Sequence, residues 1–436
     1  MKRLHTVSAA VLAAGTLLGL AACSPDGQSG SADGATDQTT ITFTSYNYGT
    51  QGAAGTGTQA LLDRFAQLHP EITVKPQGVA TADVLTKTKA AVAAGAAPDV
   101  VQIGYSKLAE AFETLPTQSL KSLAGADWDA SVKGIAPVFL TTGTSDGDVH
   151  ALPYTVSVPT VFYNADLFKK AGLDPADPPA TIDEIRTSAK AIVAAGHHGV
   201  YFGIADPSKS DYLTQSVINS AGGSLIGANG SVALDSDQAV AGLEAVQGLT
   251  RSGLQPAVGV EDALSDFAKG NLGMFVASTA VSGQLAAKAK GKFELRSAGF
   301  PAFGQSAPHP TFSGAGLMVL SKDPAKQKAA WQFVKFLTSK EGYTMITKDL
   351  GYLPLRADIV ADPQYLGTYF KDHTLLLPPL KELGTVKPYQ SFSGPKANQA
   401  TVLLQDDAIE PIVLRGADVR STLGTTAGRI RDLVGQ

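Results

Sequence analysis

Tyr46 and Tyr48 in "SYNY" and Tyr105 in "GYS" place flat rings with polar tips directly after two strand-like runs. Rings and hydroxyls at that place suit the capture of a small molecule, because open α/β sheets take their ligands at the carboxyl ends of their strands. The other chemistry-bearing patterns are incomplete. "GTGTQA", Gly55 to Ala60, nearly matches the dinucleotide fingerprint and lies between a strand and a helix. The acid that should close the second strand is missing, since that strand ends in Lys75, Pro76, Gln77 and Gly78. The stretch therefore reads as a flexible binding loop. His197 and His198 in "GHHG" are adjacent and cannot both turn to one ion, so they read as loop residues and no metal is expected. "SGPK", Ser393 to Lys396, has the S-x-x-K spacing of a serine acyl-enzyme without its S-D-N and K-T-G companions. Asp406 and Asp407 are neighbours on a predicted helix and read as solvated. No nucleophile elbow, P-loop or H-E-x-x-H occurs. The sequence thus predicts no catalytic residues, no enzyme and no cofactor.

The elements that must hold these residues follow from periodicity. "TITFTSY" alternates as a strand from Thr40. Leu61, Leu62, Phe65 and Leu68 then recur at helical spacing up to Pro70. "EITVKPQG" predicts a second strand, "ADVLTKTKAAVAAGAAP" a second helix and "DVVQIG" a third strand. Strand, helix, strand, helix, strand implies parallel pairing through right-handed crossovers, an α/β fold. Further on, "PTVFYNADLFKKAGL" gives a strand and a helix. Thr181 and Glu184 have capping-box spacing. "GLMVL" is a late strand, and "PAKQKAAWQFVKFLTS" is a helix with Trp331, Val334, Phe336 and Leu337 toward the core.

The only cysteine, Cys23, follows an uncharged run from Thr6 to Ala22 that begins behind Lys2 and Arg3. A basic head, an apolar middle and small residues before the cysteine form an export signal over residues 1–22. The run is short for a membrane span, which takes about 20 apolar residues. "LAAC" resembles the bacterial lipobox, so Cys23 is the expected lipidation site. Residues 23–39 hold no aliphatic residue larger than alanine before Thr40 and read as a tether. Removing the signal takes away two cations and no acid, leaving the chain more acidic than the net −4 of the full sequence. That balance, with no basic run, excludes nucleic acid as a partner. The length exceeds one ordinary domain, and 44% hydrophobic residues suffice for two cores.

The stretch "ALPYTVSVPTVFYNADLFKKAGLDPADPPATIDEI", Ala151 to Ile185, resembles the family 1 extracellular solute-binding proteins of bacterial ABC importers. "FAKGNLGMFVAS" (Phe267 to Ser278), "FSGAGLMVLSKDPAKQKAAWQFVKFLTS" (Phe312 to Ser339) and "GYLPLR" (Gly351 to Arg356) follow in the family's order. The resemblance implies two α/β lobes with a hinged ligand cleft. It places lobe 1 at 39–152 and 313–352, and lobe 2 at 153–312 and 353–436. It implies crossings near Leu152–Pro153, near Phe312–Ser313 and after Tyr352. It also implies a monomer, held outside the cytoplasm on the cell membrane by its lipid alone, which hands a small-molecule solute to the permease subunits.

Within the family the chain looks most like the branch that binds sn-glycerol 3-phosphate. Ser157, Ser278, Gly314 and Tyr352 match that branch's cleft residues. The branch's tyrosine after the second strand falls at Ala80 or Thr81, and its glutamate at Tyr105. Its phosphate-pairing arginine falls near Phe392, and its tryptophan is missing around Ser210 to Tyr212. Tyr46, Tyr48, Tyr105, Tyr154, Ser157, Tyr212, Ser278, Gly314, Tyr352 and Phe392 are the expected ligand residues. Trp128 and Trp331 read as structural. An arginine fork binds phosphate through bidentate bonds that neutral groups replace poorly. No cation occupies the matched positions, and Lys396 is the nearest. The expected ligand is therefore a neutral sugar or short oligosaccharide. Glycerol 3-phosphate or a glycerophosphodiester is the alternative, and a secreted hydrolase is the alternative of another class.

Overall fold

The computed structural model describes residues 38–305 and 307–436. The expected signal, Cys23 and nearly all of the tether lie outside the described residues. The strands, in chain order, are β1 (Thr39–Ser45), β2 (Ile72–Gly78), β3 (Val100–Gly104), β4 (Thr144–Ser145), β5 (Asp148–Val149), β6 (Leu152–Ser157), β7 (Pro159–Asn164), β8 (His198–Phe202), β9 (Leu272–Ser278), β10 (Leu295–Ala298) and β11 (Ser313–Val319). They form a five-stranded sheet in the order β2-β1-β3-β11-β6, a four-stranded sheet β10-β7-β9-β8 and the small hairpin β4-β5. The two larger sheets, each with its own helices, make two α/β lobes.

The first sheet arises as the alternation implies. β1 pairs in parallel with both β2 and β3, through the helices Ala53–Leu68 and Val84–Ala93. All five residues of β3 are buried. One cover is the helix Pro324–Leu337, whose Trp331, Phe333, Val334, Phe336 and Leu337 are buried. Phe333 meets Phe43 edge-on at 5.1 Å and Phe65 at 5.0 Å. Burying each such side chain contributes about 1.5–3 kcal/mol. Asp323 caps this helix by accepting from the Lys326 amide at 3.0 Å, and Pro324 sits in its first turn, where a missing N–H costs nothing.

In the second lobe, Thr181 and Glu184 form the predicted capping box and start the helix Ile182–Ala194. β6 and β7 are buried along their whole length, so the chain passes between sheets through the interior.

Three expectations are corrected. "GTGTQA" is helical rather than a loop, inside Ala53–Leu68. Its glycines serve packing: a Cβ on Gly57 would stand 2.4 Å from Leu350 Cδ1 and 2.9 Å from the Asp349 carbonyl carbon. β6 pairs with β11 as far as Ser157, so the first crossing falls at Val158 rather than at Leu152–Pro153. The third crossing follows Arg356 rather than Tyr352. Leu353 still bridges to Val156, and the buried Arg356 donates to the carbonyls of Ser131, Lys133 and Thr338 in the first lobe. By Glu382, which accepts from the Phe300 amide at 2.6 Å, the chain lies against the second lobe.

Candidate ligand cleft

β3 and β6 run in one direction with β11 antiparallel between them, and β8 and β9 are parallel neighbours. The carboxyl ends of β1, β3 and β6 thus share a rim with the start of β11, and that rim meets the ends of β8 and β9. Between the two lies a cavity of about 440 Å³. Tyr46, Gly104, Ser157, Ser313 and Gly314 line it from the first sheet, and Gly203, Ala277 and Ser278 from the second. The volume falls in the range usual for small-molecule sites, about 300–1,000 Å³.

Six of the ten expected ligand residues line this cavity: Tyr46, Ser157, Tyr212, Ser278, Gly314 and Tyr352. Burial pushes the hydroxyls of Tyr46, Tyr212 and Tyr352 up, that of Tyr352 to about 12, so all three are neutral donors at physiological pH. The Tyr46 hydroxyl approaches Gln102 and Thr155. Gln102 is itself fixed by Ser45, whose hydroxyl donates to Gln102 Oε1 at 2.6 Å. Ser278 accepts from the Ala280 amide at 3.1 Å and lies against the Tyr212 hydroxyl.

The other four do not line it. Tyr48 sits half-buried over a separate groove beside Gln59, Leu62 and Pro76. Tyr105 is 2% exposed and packs on Phe312, because the turn Tyr105–Lys107 folds its ring behind the cleft wall. Tyr154 has no exposed surface, since β6 is covered on both faces. Phe392 is buried in the main core. Both tryptophans pack in or against the core, as expected. Asp406 and Asp407 are paired with Lys209 and Arg429. His198 pairs with Asp266 at the start of β8. Among the described residues no His, Cys, Asp and Glu group could hold a metal ion.

The expectation of a cleft without a cation is overturned. Lys107, two residues beyond Tyr105, lines the cavity and is only 4% exposed. Burial pulls its ammonium below the usual lysine range, and the charges of Asp206, Asp211 and Glu110 oppose that shift. Asp206 and Glu261 line the same cavity. Burial lifts Asp206, while its bonds to Ser208 pull the other way. Behind it, the fully buried Asp211 is pushed up to about 7 by burial. Thr81, Ser106, Ser208, Ser210, Ser313 and Gln284 add neutral polar groups, while Phe275, Val260 and Leu264 supply apolar wall. The turn after β3 and the segment "ADPSKS" after β8 carry no periodic signal, which is why sequence reasoning missed Lys107 and Asp206. The cleft can therefore hold a small ligand through many neutral hydrogen bonds, three tyrosines and a few buried charges.

Residues 48–344 match the family of bacterial extracellular solute-binding proteins. The sn-glycerol-3-phosphate-binding periplasmic protein UgpB of Pectobacterium atrosepticum is 25% identical over 336 residues, covering 74% of this chain and 75% of that protein. The GacH receptor of Streptomyces glaucescens, solved unliganded and with acarbose, superposes with a TM-score of 0.78 at 22% identity, over 92% of this chain and 99% of GacH. UgpB from Mycobacterium tuberculosis, solved with glycerophosphocholine, superposes with a TM-score of 0.77 at 24% identity, over 91% of this chain and 98% of that one.

Proposed function

Because the chain belongs to the family of bacterial extracellular solute-binding proteins, the substrate-binding components of ABC importers, we propose that its cleft captures a neutral sugar or short oligosaccharide for the permease. The carrying observation is the composition of the cavity wall. Serine, threonine and glutamine hydroxyls and amides alternate with tyrosine rings, and the acids Asp206 and Glu261 outnumber the single cation Lys107. A saccharide offers both donors and acceptors to such a wall, and its C–H faces pack on rings. A dianion would meet more negative charge than positive, and burying it uncompensated costs several kcal/mol.

Lys107 gives specific support to a second reading. It supplies the cation that glycerol 3-phosphate or a glycerophosphodiester needs; the Pectobacterium relative is named for glycerol 3-phosphate, and the Mycobacterium tuberculosis UgpB was solved with glycerophosphocholine. A thermal-shift and calorimetry screen separates the two. A true ligand at 100 times its dissociation constant adds about 2.7 kcal/mol to stability. The saccharide reading expects stabilisation by at least one neutral sugar and none by millimolar glycerol 3-phosphate; the reverse result replaces it with the phosphate reading.

The protein works outside the cytoplasm as a monomer, anchored through a lipid on Cys23. The lipobox-like run before Cys23 supports the anchor. Cys23→Ser is expected to release the protein from washed membranes. Retention of the variant would refute the anchor.

A further inference from the structure

Lys107 stands out among the cations of the molecule. It is almost fully buried in the cavity wall, and among the described residues its ammonium makes no ion pair or hydrogen bond. The carboxylate nearest in sequence, Glu110, is already engaged by Lys89 at 2.8 Å and by the Asn398 amide at 3.0 Å. Asp211 is turned toward Gln215, which donates to its Oδ2 at 3.1 Å, and it does not line the cavity. Across the cleft, Asp206 accepts twice through Oδ1, from the Ser208 amide and the Ser208 hydroxyl, both at 2.7 Å. Its other oxygen makes no hydrogen bond within the described residues. Lys209, the neighbour that could neutralise it, is tied to Asp406. Local bonding thus leaves one ammonium from the β3 side and one carboxylate oxygen from the β8 side facing a shared cavity.

We infer that Lys107 and Asp206 form a split donor–acceptor pair that reads hydroxyls of one sugar unit, and that this pair sets the ligand class. The inference rests on the saccharide reading above and names the residues that enforce it. A hydroxyl accepts from Lys107 and donates to Asp206, so a polyol satisfies both groups without bringing charge. A phosphate ester satisfies Lys107 but opposes Asp206. A trimethylammonium headgroup satisfies Asp206 but opposes Lys107. Leaving either buried group unpaired is costly, so the pair rejects both charged classes. Because the two residues come from different lobes, the same contacts tie ligand capture to both halves of the cleft.

The test uses Lys107→Met and Asp206→Asn in the full chain, with calorimetry on maltose, maltotriose, mannotriose, glycerol 3-phosphate and choline. The wild-type protein is expected to bind at least one of the three saccharides. Each variant should weaken that binding at least tenfold, while its melting temperature without ligand is unchanged or higher. Asp206→Asn should gain affinity for glycerol 3-phosphate, and Lys107→Met for choline, which carries the trimethylammonium group without a phosphate. Saccharide affinity within twofold of wild type in both variants overturns the pair and leaves the saccharide reading standing. Wild-type binding of glycerol 3-phosphate without any saccharide overturns both, and a loss of that binding in Lys107→Met would reassign the lysine as a phosphate contact. Failure of the wild type to bind any of the three saccharides likewise overturns both.

Discussion

The Tyr105 ring meets Phe312 edge-on, with centroids 5.3 Å apart and planes at 88°. Phe139 packs on the same Phe312 from another side at 5.0 Å. The three rings form an apolar buttress behind the cleft wall, where β3 and β11 lie antiparallel. The Tyr105 hydroxyl is buried without a hydrogen-bond partner. Tyr105→Phe removes only that orphaned group, so stability should stay the same or rise by about 1 kcal/mol. Tyr105→Ala empties the buttress and should cost about 3–5 kcal/mol. Urea denaturation of both variants reads the difference. An alanine variant of wild-type stability that has lost its ligand would return the ring to the cleft.

Gly314 makes a second prediction, because here the backbone itself requires glycine. Its φ is +132°, and a Cβ would stand 2.0 Å from the Thr155 carbonyl oxygen. The neighbouring pair Ser313 and Ser157 carries two cleft hydroxyls across the β11–β6 ladder. Gly314→Ala must push these strands apart, so it should cost at least about 2 kcal/mol and abolish ligand binding. Gly49→Ala is the control. It also has positive φ, at +72°, but open space around the added carbon. It should cost only about 1 kcal/mol and leave binding intact. Thermal melts and calorimetry on the two variants check this; equal losses in both would mean that the contact with Thr155 is unimportant.

What could be read from the sequence was what local periodicity writes. β1, β2 and β3 with their two helices alternate cleanly, and Thr181 with Glu184 spells a capping box that the fold uses. The cleft serines were legible only through resemblance, since Ser157 and Ser278 look ordinary at the ends of buried strands. The errors came where one residue's rotation decides everything. In "GYSK" the sequence does not say whether Tyr105 or Lys107 faces the ligand, and the short turn after β3 buries the ring and presents the amine. In "GTGTQA" glycine suggested a mobile loop, while the fold uses its missing side chains to bring a helix against Asp349 and Leu350. Asp206 belongs to a nonperiodic loop whose place depends on a bond from its own amide to Gln405, 199 residues away.

The last prediction concerns pH. Glu382 accepts from the Phe300 amide through Oε1, but Oε2 is buried without a partner, and burial lifts the carboxyl to about 7. Asp211 is lifted by burial to a similar value, with Oδ1 unpartnered. In the unfolded chain both titrate at about 4. Between these limits the native state holds protons that the unfolded state releases, so folding is disfavoured progressively as pH rises. Their contribution is fully present below the unfolded value and is lost as pH climbs through about 7. Carboxyls held low by hydrogen bonds, such as Asp148 and Asp418, act in the opposite sense, and only at more acid pH. Wild-type stability should therefore fall between pH 5 and pH 8. Glu382→Gln keeps the Oε1 acceptor and removes the charge, well away from the ligand cavity. It should match wild type at pH 5 and exceed it by about 1–3 kcal/mol at pH 8, the scale of an unsatisfied buried polar group. Urea midpoints measured at pH 5, 6, 7 and 8 test this directly. Parallel curves for the variant and the wild type would show that Glu382 ionises as an ordinary surface acid.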